Sequence, residues 1–164
     1  MIVVADTSVV INLCCVGQGG LLRQLFREVV VPPAVAAEFA RLASSVPRFA
    51  GLTLPEGIRQ QAPTSLPALL RSAIGLDPGE AAALAPAVEI HADAVLLDER
   101  RGREAASQLG LRTIGHFLGL LLQAKSAGLL AAVRPVLDDL QREAGFWIAN
   151  TLRQQVLRLA GEVH

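Results

Sequence analysis

The 164-residue sequence has little charge, and the charge that it has is balanced. Charged residues make up 18% of the chain, with 15 Lys and Arg against 15 Asp and Glu, whereas about 25% is usual. This balance excludes a strongly basic nucleic-acid-binding protein, so any contact with RNA must come from a local patch. The hydrophobic fraction of 52% excludes a disordered chain, because ample apolar surface can offset the conformational entropy that folding removes.

Cysteines and long apolar runs are also scarce. Cys14 and Cys15 are adjacent in an apolar run. They provide neither a disulfide framework nor metal-site spacing, so we interpret them as small core residues of a protein in a reducing compartment, and we predict a cytoplasmic location. The N-terminus has no basic region, and polar residues such as Lys125 interrupt the most apolar late stretch, residues 117–132. We therefore expect neither a secretory signal nor a membrane span.

Short β-branched runs alternate with helical patterns through the first 115 residues. Helices are also predicted at about 116–128, 133–143 and 147–161, and the predicted strands are a short one near Ile58 and the runs IVVA, VVVP, DAVLLD and LRTIG. This alternation predicts an α/β fold with a parallel sheet, in which right-handed crossovers bring the carboxyl ends of the strands to one edge. We predict a single domain over residues 1–164.

Acidic residues recur at this predicted edge. Asp6 follows the first strand, and Asp98 and Glu99 follow the DAVLLD strand. Glu38 lies in the first turns after VVVPP, and Glu80 opens the helix that follows a DPG sequence. Since ligands of open α/β sheets bind outside the carboxyl ends of the strands, we expect acids from four separate segments to converge there.

Converging carboxylates need a physical reason, because like charges a few ångströms apart disfavour their own ionisation. A divalent cation reverses this effect, and Mg²⁺ or Mn²⁺ prefers oxygen ligands. Such a metal can polarise a phosphate and lower the pKa of bound water, so hydrolysis of a phosphodiester matches a site of this type. Each acid also has an ordinary interpretation as a helix cap, a dipole partner or part of a solvated helix face.

The order and spacing of several stretches support a family resemblance. The stretches are ADTSVVINL, VVVPPAVAAEF, LDPGEAAALA, DAVLLDERRGREAASQLGLRTIG and, near the C-terminus, GFWIANTLRQQVLRLAGE. Over essentially its whole length the chain resembles the PIN-domain superfamily, and especially the DUF3368 branch of predicted nucleases similar to VapC-type toxins. This resemblance implies a three-layer α/β/α sandwich around a central parallel sheet of about four or five strands, with additional C-terminal helices at about 133–161 packed on it.

The resemblance also implies roles for particular residues. It implies a site for Mg²⁺ or Mn²⁺, supported by the small hydroxyl residue Ser8. The acids that match the family's catalytic set are Asp6, Glu38, Glu80 and Asp98. The expected metal ligands are Asp6, Glu80, Asp98 and Glu99.

Two departures from the family pattern affect this match. Many PIN domains carry Thr-x-Asp at the fourth acid, but Leu96 or Leu97 replaces the threonine here. Asp98 and Glu99 therefore both remain candidates, with Asp98 favoured. His116 stands where the branch often has threonine, which removes an expected supporting hydroxyl without affecting the acids.

Basic and apolar residues outside the acidic set receive two interpretations each. Arg100, Arg101 and Arg103 either bind the RNA backbone or form a solvated helix face balanced by nearby glutamates. We interpret Lys125 as an ordinary surface residue. A C-terminal apolar stripe is predicted to pack on the domain, with a dimer or partner surface as the alternative; it comprises Trp147, Ile148, Leu152, Val156 and Leu159.

The favoured function is a Mg²⁺- or Mn²⁺-dependent endoribonuclease, and the resemblance suggests the toxin of a toxin–antitoxin pair. The expected partners are an RNA substrate, an antitoxin that covers the site and a second copy of the chain. The main alternative is a PIN-like module that binds protein or RNA without cutting. A haloacid-dehalogenase-type phosphatase is disfavoured because Ser8 stands where a second aspartate is required. A Rossmann nucleotide site is disfavoured because Gly17, Gly19 and Gly20 follow a helix.

Overall fold

The predicted β-branched runs form one parallel sheet at the centre of the protein. A computed structural model describes residues 1–62, 78–98, 100–115 and 117–162, without the side chains of residues 78–83, 101 and 115. Within these residues, five strands lie in the order β3-β2-β1-β4-β5, and all neighbouring pairs are parallel. The strands are β1 (Ile2–Ala5), β2 (Glu28–Val31), β3 (Arg59–Gln60), β4 (Ala94–Leu97) and β5 (Thr113–Gly115).

Helices occupy the connections and the C-terminal part of the chain. The sequence also predicts a helix at 66–74, and this segment and His116 lie outside the described residues. Pro47–Phe49 forms a short 3₁₀ helix. In chain order, the α-helices of the described residues are α1 (Thr7–Cys15), α2 (Leu21–Leu25), α3 (Pro33–Ser45), α4 (Pro78–Glu89), α5 (Arg100–Gln108), α6 (Phe117–Ser126), α7 (Arg134–Arg142) and α8 (Asn150–Leu159). None of them combines the length and apolar character needed to cross a bilayer.

The two faces of the sheet support separate apolar cores. Successive strand residues point to opposite faces, so Val3 and Ala5 pack into the larger core, whereas Val4 packs into the smaller one. The larger core also contains residues of α1, α3, α6, α7 and α8, and the smaller one contains residues of α4 and α5. This arrangement confirms the three-layer α/β/α architecture around a parallel sheet.

The strand order creates a reversal between β1 and β4. From β1 the chain adds β2 and then β3 on one side, and it returns to place β4 and β5 on the other side. In open α/β sheets, a crevice forms outside the carboxyl ends of the strands at such a switch point. The residues that follow β1 and β4 therefore line the position where this type of fold binds ligands.

The C-terminal helices correct the prediction of one continuous apolar stripe. Ala149 has an extended backbone, and α8 begins only at Asn150, so residues 147 and 148 do not share the helical period. Ile148 is 5% exposed and Val156 4%, but Trp147 is 84% exposed. Packing on the domain is thus correct for Ile148 and Val156, and it is wrong for Trp147, for Leu159, which is 68% exposed, and for Leu152, which is 40% exposed.

Lys125 is not the ordinary surface residue that the sequence predicted. Its ammonium group lies 2.9 Å from Glu162 Oε2 and 2.6 Å from the carbonyl oxygen of Ala160. The Glu162 carboxylate also accepts hydrogen bonds from the amides of Val133 and Arg134, at 2.8 and 3.0 Å. One carboxylate therefore joins the end of α6, the start of α7 and the segment after α8.

Glu162 makes stability depend on pH in a defined direction. Burial raises the pKa of its carboxyl, but hydrogen bonds from Lys125, Val133 and Arg134 lower it, and the net pKa lies below the usual value. A depressed folded-state pKa stabilises the protein above the unfolded-state pKa of about 4.3, and this contribution is lost as the pH falls through the folded-state value.

Replacing Glu162 with glutamine is therefore expected to lower the free energy of unfolding by about 1–2 kcal/mol at pH 7. Urea unfolding from pH 7 to pH 3 should show the difference from the wild type shrinking in acid. Glu104→Gln is the matched control, because its pair with Arg100 is 59% and 85% exposed and contributes little. A pH-independent difference for Glu162→Gln would contradict the role given to its charge.

Candidate functional site

Asp6 is a buried acid at the carboxyl end of β1. It is 5% exposed, and its amide donates to the carbonyl oxygen of Leu96 in β4 at 3.2 Å. Its Oδ1 accepts from the amide of Val9 at 3.1 Å, which makes Asp6 the N-cap of α1. The interpretation of Asp6 as a helix cap is thus confirmed. The same hydrogen bond holds its carboxylate at the edge of the sheet.

Asp98 occupies the corresponding place after β4. Because Ala5 pairs with Leu96, Asp98 lies one residue beyond the position opposite Asp6, on a strand about 4.8 Å away. Its carboxylate is half-buried, and Oδ1 is 3.5 Å from the amide of Phe117 at the start of α6. The structure therefore brings the segments that carry Asp6 and Asp98 together at the switch point.

Glu38 is linked to Asp6 through a residue that the sequence analysis did not single out. Thr7, which is 6% exposed, donates from Oγ1 to Glu38 Oε2 at 2.8 Å. Arg41 Nη2 is 3.9 Å from Glu38 Oε1, but the two side chains are 67% and 39% exposed, so this ion pair contributes little. One feature of the sequence could have identified Thr7: it is a second hydroxyl residue, beside Ser8, and it directly follows the strand-end acid Asp6. Ser8, the predicted supporting residue, is half-buried and accepts from Asn12 Nδ2 through its carbonyl oxygen.

The other two predicted acids are placed only in part. Glu80 is the third residue of α4, and α4 leads into the amino end of β4. A helix that enters a strand in this way begins near the opposite, carboxyl edge of the sheet. The side chain of Glu80 and all of Glu99 lie outside the described residues.

The fit to a metal can be tested on donor chemistry. Asp6 and Asp98 offer carboxylate oxygens, which suit a hard cation such as Mg²⁺ or Mn²⁺. Among the side chains that the structure describes, no group of three or more His, Cys, Asp or Glu could hold a metal. The donor type therefore fits, and Glu80 and Glu99 are the candidates for further ligands.

The arginines of the predicted patch have different partners. Arg100 Nε is 3.0 Å from Glu104 Oε1 on an exposed helix face, as expected for the solvated alternative. Arg103 instead donates from Nη1 to the carbonyl oxygen of Asp98 at 2.9 Å, so its positive charge lies beside the fourth acid. The side chain of Arg101 lies outside the described set.

The Thr7–Glu38 contact yields a measurable coupling. Thr7→Val keeps the shape of the side chain but removes the donor to Glu38, and it is expected to lower the free energy of unfolding by about 1 kcal/mol. Thr7→Ser keeps the hydroxyl and serves as the control. In a double-mutant cycle with Glu38→Gln, measured by urea unfolding, the two effects should not add; additivity would show that the contact contributes nothing.

Comparison with protein-family models gives a match over almost the whole chain. The chain matches the family model DUF3368, described as a PIN domain, over residues 2–162. No curated protein and no solved structure gives a significant match. PIN domains are generally nucleases that typically use divalent metals, which agrees with the oxygen donors at the switch point. The chain belongs to the DUF3368 family of PIN domains.

Proposed function

We propose that the chain is a metal-dependent endoribonuclease that hydrolyses RNA phosphodiesters. The observation that carries this proposal is the position of Asp6 and Asp98 on adjoining strand ends, where β1 pairs with β4 and the strand order reverses. Family membership supports a nuclease in general. RNA as substrate and Mg²⁺ or Mn²⁺ as cofactor are the finer parts of the proposal.

In this proposal, Asp6 and Asp98 hold the metal together with Glu80, and Glu99 is an alternative or additional ligand. When bound, Mg²⁺ or Mn²⁺ supplies positive charge for the phosphate and lowers the pKa of a bound water. Asp6 enters the site already oriented, because the amide of Val9 holds one of its oxygens. Pre-ordering of this kind removes a conformational cost from substrate binding.

Glu38 has a different proposed role, as an acid that receives a proton. Thr7 donates to Oε2, so the oxygen that would face the attacking water is Oε1, whose only ion pair among the described residues is the exposed one with Arg41. A carboxylate that is fixed at one oxygen keeps its other oxygen in a defined direction, which general-base catalysis requires. Arg103, which donates to the carbonyl oxygen of Asp98, would attract the RNA backbone towards this site.

A second candidate function is a PIN-like module that binds RNA or protein without cutting. The departure at the fourth acid favours it, because Leu96, two residues before Asp98, stands where many PIN domains have the threonine of Thr-x-Asp. This candidate predicts binding that is independent of Asp6 and of added metal.

Matched aspartate variants separate the two functions. Asp6→Asn and Asp98→Asn are each expected to lower Mn²⁺-dependent cleavage of a fluorescently labelled RNA by at least about 100-fold, since even the partners of metal ligands contribute roughly 10–100-fold. Asn is as good an N-cap as Asp, so Asp6→Asn should remain folded. EDTA should abolish cleavage by the wild type.

The control for this experiment is Asp93→Asn. Asp93 precedes β4, and its Oδ2 accepts from the amide of Ile2 at 2.6 Å, at the edge of the sheet away from the candidate site. Its replacement should leave the cleavage rate within about twofold once folding has been verified. Equal activity of the wild type and Asp6→Asn would rule out the proposed site and leave the binding module.

We further propose that the chain is a cytoplasmic toxin, that it forms a homodimer, and that a cognate antitoxin restrains it by covering the site. Family resemblance and the hydrophobic fraction of 52% support these points. Expression of the wild type alone in a bacterial host is expected to stop growth, whereas Asp6→Asn expressed at the same level is not. Unimpaired growth with soluble, cleavage-competent wild type would contradict the toxin role.

A further inference from the structure

The connection between α7 and α8 contacts the start of α6, and the start of α6 contacts the candidate site. The two helices form an antiparallel hairpin, in which Arg153 of α8 bonds to Gln141 of α7 at 2.9 Å. The open end of this hairpin is tied to the end of α6 by the Lys125–Glu162 pair. The closed end, residues 143–149, contacts Phe117 at the start of α6, and it also approaches Arg48, whose carbonyl oxygen lies 3.5 Å from Cys15 Sγ at the end of α1.

Two aromatic rings make the contact with α6. Phe146, in the connection, packs on Phe117, the first residue of α6, with ring centroids 5.6 Å apart. The amide of Phe117 is in turn 3.5 Å from Asp98 Oδ1. Two successive contacts thus connect residue 146 with one of the proposed metal ligands.

Trp147 is the next residue, and its neighbours turn it outwards. Phe146 is half-buried and Ile148 is 5% exposed, whereas Trp147 is 84% exposed. Tryptophan is highly buried on average, and it is the most exposed large hydrophobic residue among the described ones. The flanking residues anchor the backbone, so the indole is presented to solvent by a fixed segment.

A basic group lies next to this segment. The Arg48 guanidinium is held 4.9 Å from the centroid of the Phe49 ring. Its Cζ and Nη1 lie 3.7 Å from the position that a Cβ would take on Gly145. An exposed indole and a positioned guanidinium therefore flank the same short connection.

We propose that Trp147 stacks on an unpaired base of the RNA substrate and that Arg48 contacts the adjoining phosphate. The inference rests on the proposed nuclease function for the identity of the ligand. Aromatic side chains bind single-stranded RNA through such stacking, which is largely independent of sequence.

Nucleic acid explains these features better than a protein partner does. Two large apolar residues of α8 are also exposed, Leu152 at 40% and Leu159 at 68%, and the more exposed of them, Leu159, lies near the Lys125–Glu162 end of the hairpin. Trp147 is thus separated from it along the length of α8. An aromatic residue with a guanidinium nearby is the combination that binds a base and its phosphate.

The experiment uses the intrinsic fluorescence of the protein, because Trp147 is its only tryptophan. A short single-stranded RNA is titrated in EDTA, so that binding is observed without cleavage, and inner-filter effects are corrected with N-acetyltryptophanamide. Stacking should quench the emission, and a duplex of the same sequence should quench it less. Unchanged emission at RNA concentrations that saturate binding by anisotropy would overturn the proposal.

Variants give a second measurement. Trp147→Ala is expected to weaken binding of the single-stranded RNA by roughly 5- to 150-fold, the range for losing one stacked base. Trp147→Phe should retain part of the affinity, and Leu159→Ala, the control for an exposed apolar residue, should retain all of it. Arg48→Gln should weaken binding and reduce its salt dependence.

Full affinity in Trp147→Ala would overturn the proposal. A shift of Trp147 emission with protein concentration alone would also overturn it, because the residue would then contact a second copy of the chain.

The outcome can be distinguished from failure of the proposed function. If Asp6→Asn loses cleavage but still shows RNA quenching, both proposals stand. If the wild type does not cut but RNA still quenches Trp147, the nuclease fails and the base-stacking role survives in a binding module. If cleavage requires Asp6 but Trp147→Ala has unchanged affinity, the nuclease stands and the stacking role fails.

Discussion

The pairing of β1 with β4 is the interaction on which the rest of the site depends. These strands are far apart in the sequence, and the chain first builds β2 and β3 on the other side of β1 before it returns. The hydrogen bond from the Asp6 amide to Leu96 extends this pairing to the sheet edge. Without it, the first and fourth acids would end on strands that do not adjoin, and no shared ligand position would exist.

The acids at this edge are held by contacts that also stabilise the fold. Asp6 caps α1, and Asp98 accepts from the first amide of α6. The N-terminus of a helix favours a negative charge, so these carboxylates are partly compensated before any metal binds. Structural and functional interpretations of the same acid are therefore compatible, and Thr7 extends the arrangement to Glu38 on a third segment.

The two ends of the C-terminal hairpin differ, because its open end is held by charged groups and its closed end presents a side chain to solvent. Glu162 joins three segments at the first end, which fixes the direction of α7 and α8 relative to α6. At the other end, Gly145 has a φ of +65°, a left-handed conformation that suits glycine because it lacks a Cβ. The chain leaves α7 there, and the extended segment that follows presents Trp147 outwards.

Local patterns in the sequence were sufficient for the strands, for most helices and for the sheet type, because apolar periodicity and capping residues act over a few neighbours. They also identified Asp6 as a strand-end acid and a cap, and the match over residues 2–162 agrees with the family that those motifs indicated. Long-range contacts had no such signal. The partner of Thr7, the pairing of Lys125 with Glu162 and the outward position of Trp147 each depend on segments that meet only when the sheet and its helices have packed. Tertiary structure alone decided them, because a side chain's burial and partners are set by what packs against it and not by its own neighbours in the chain.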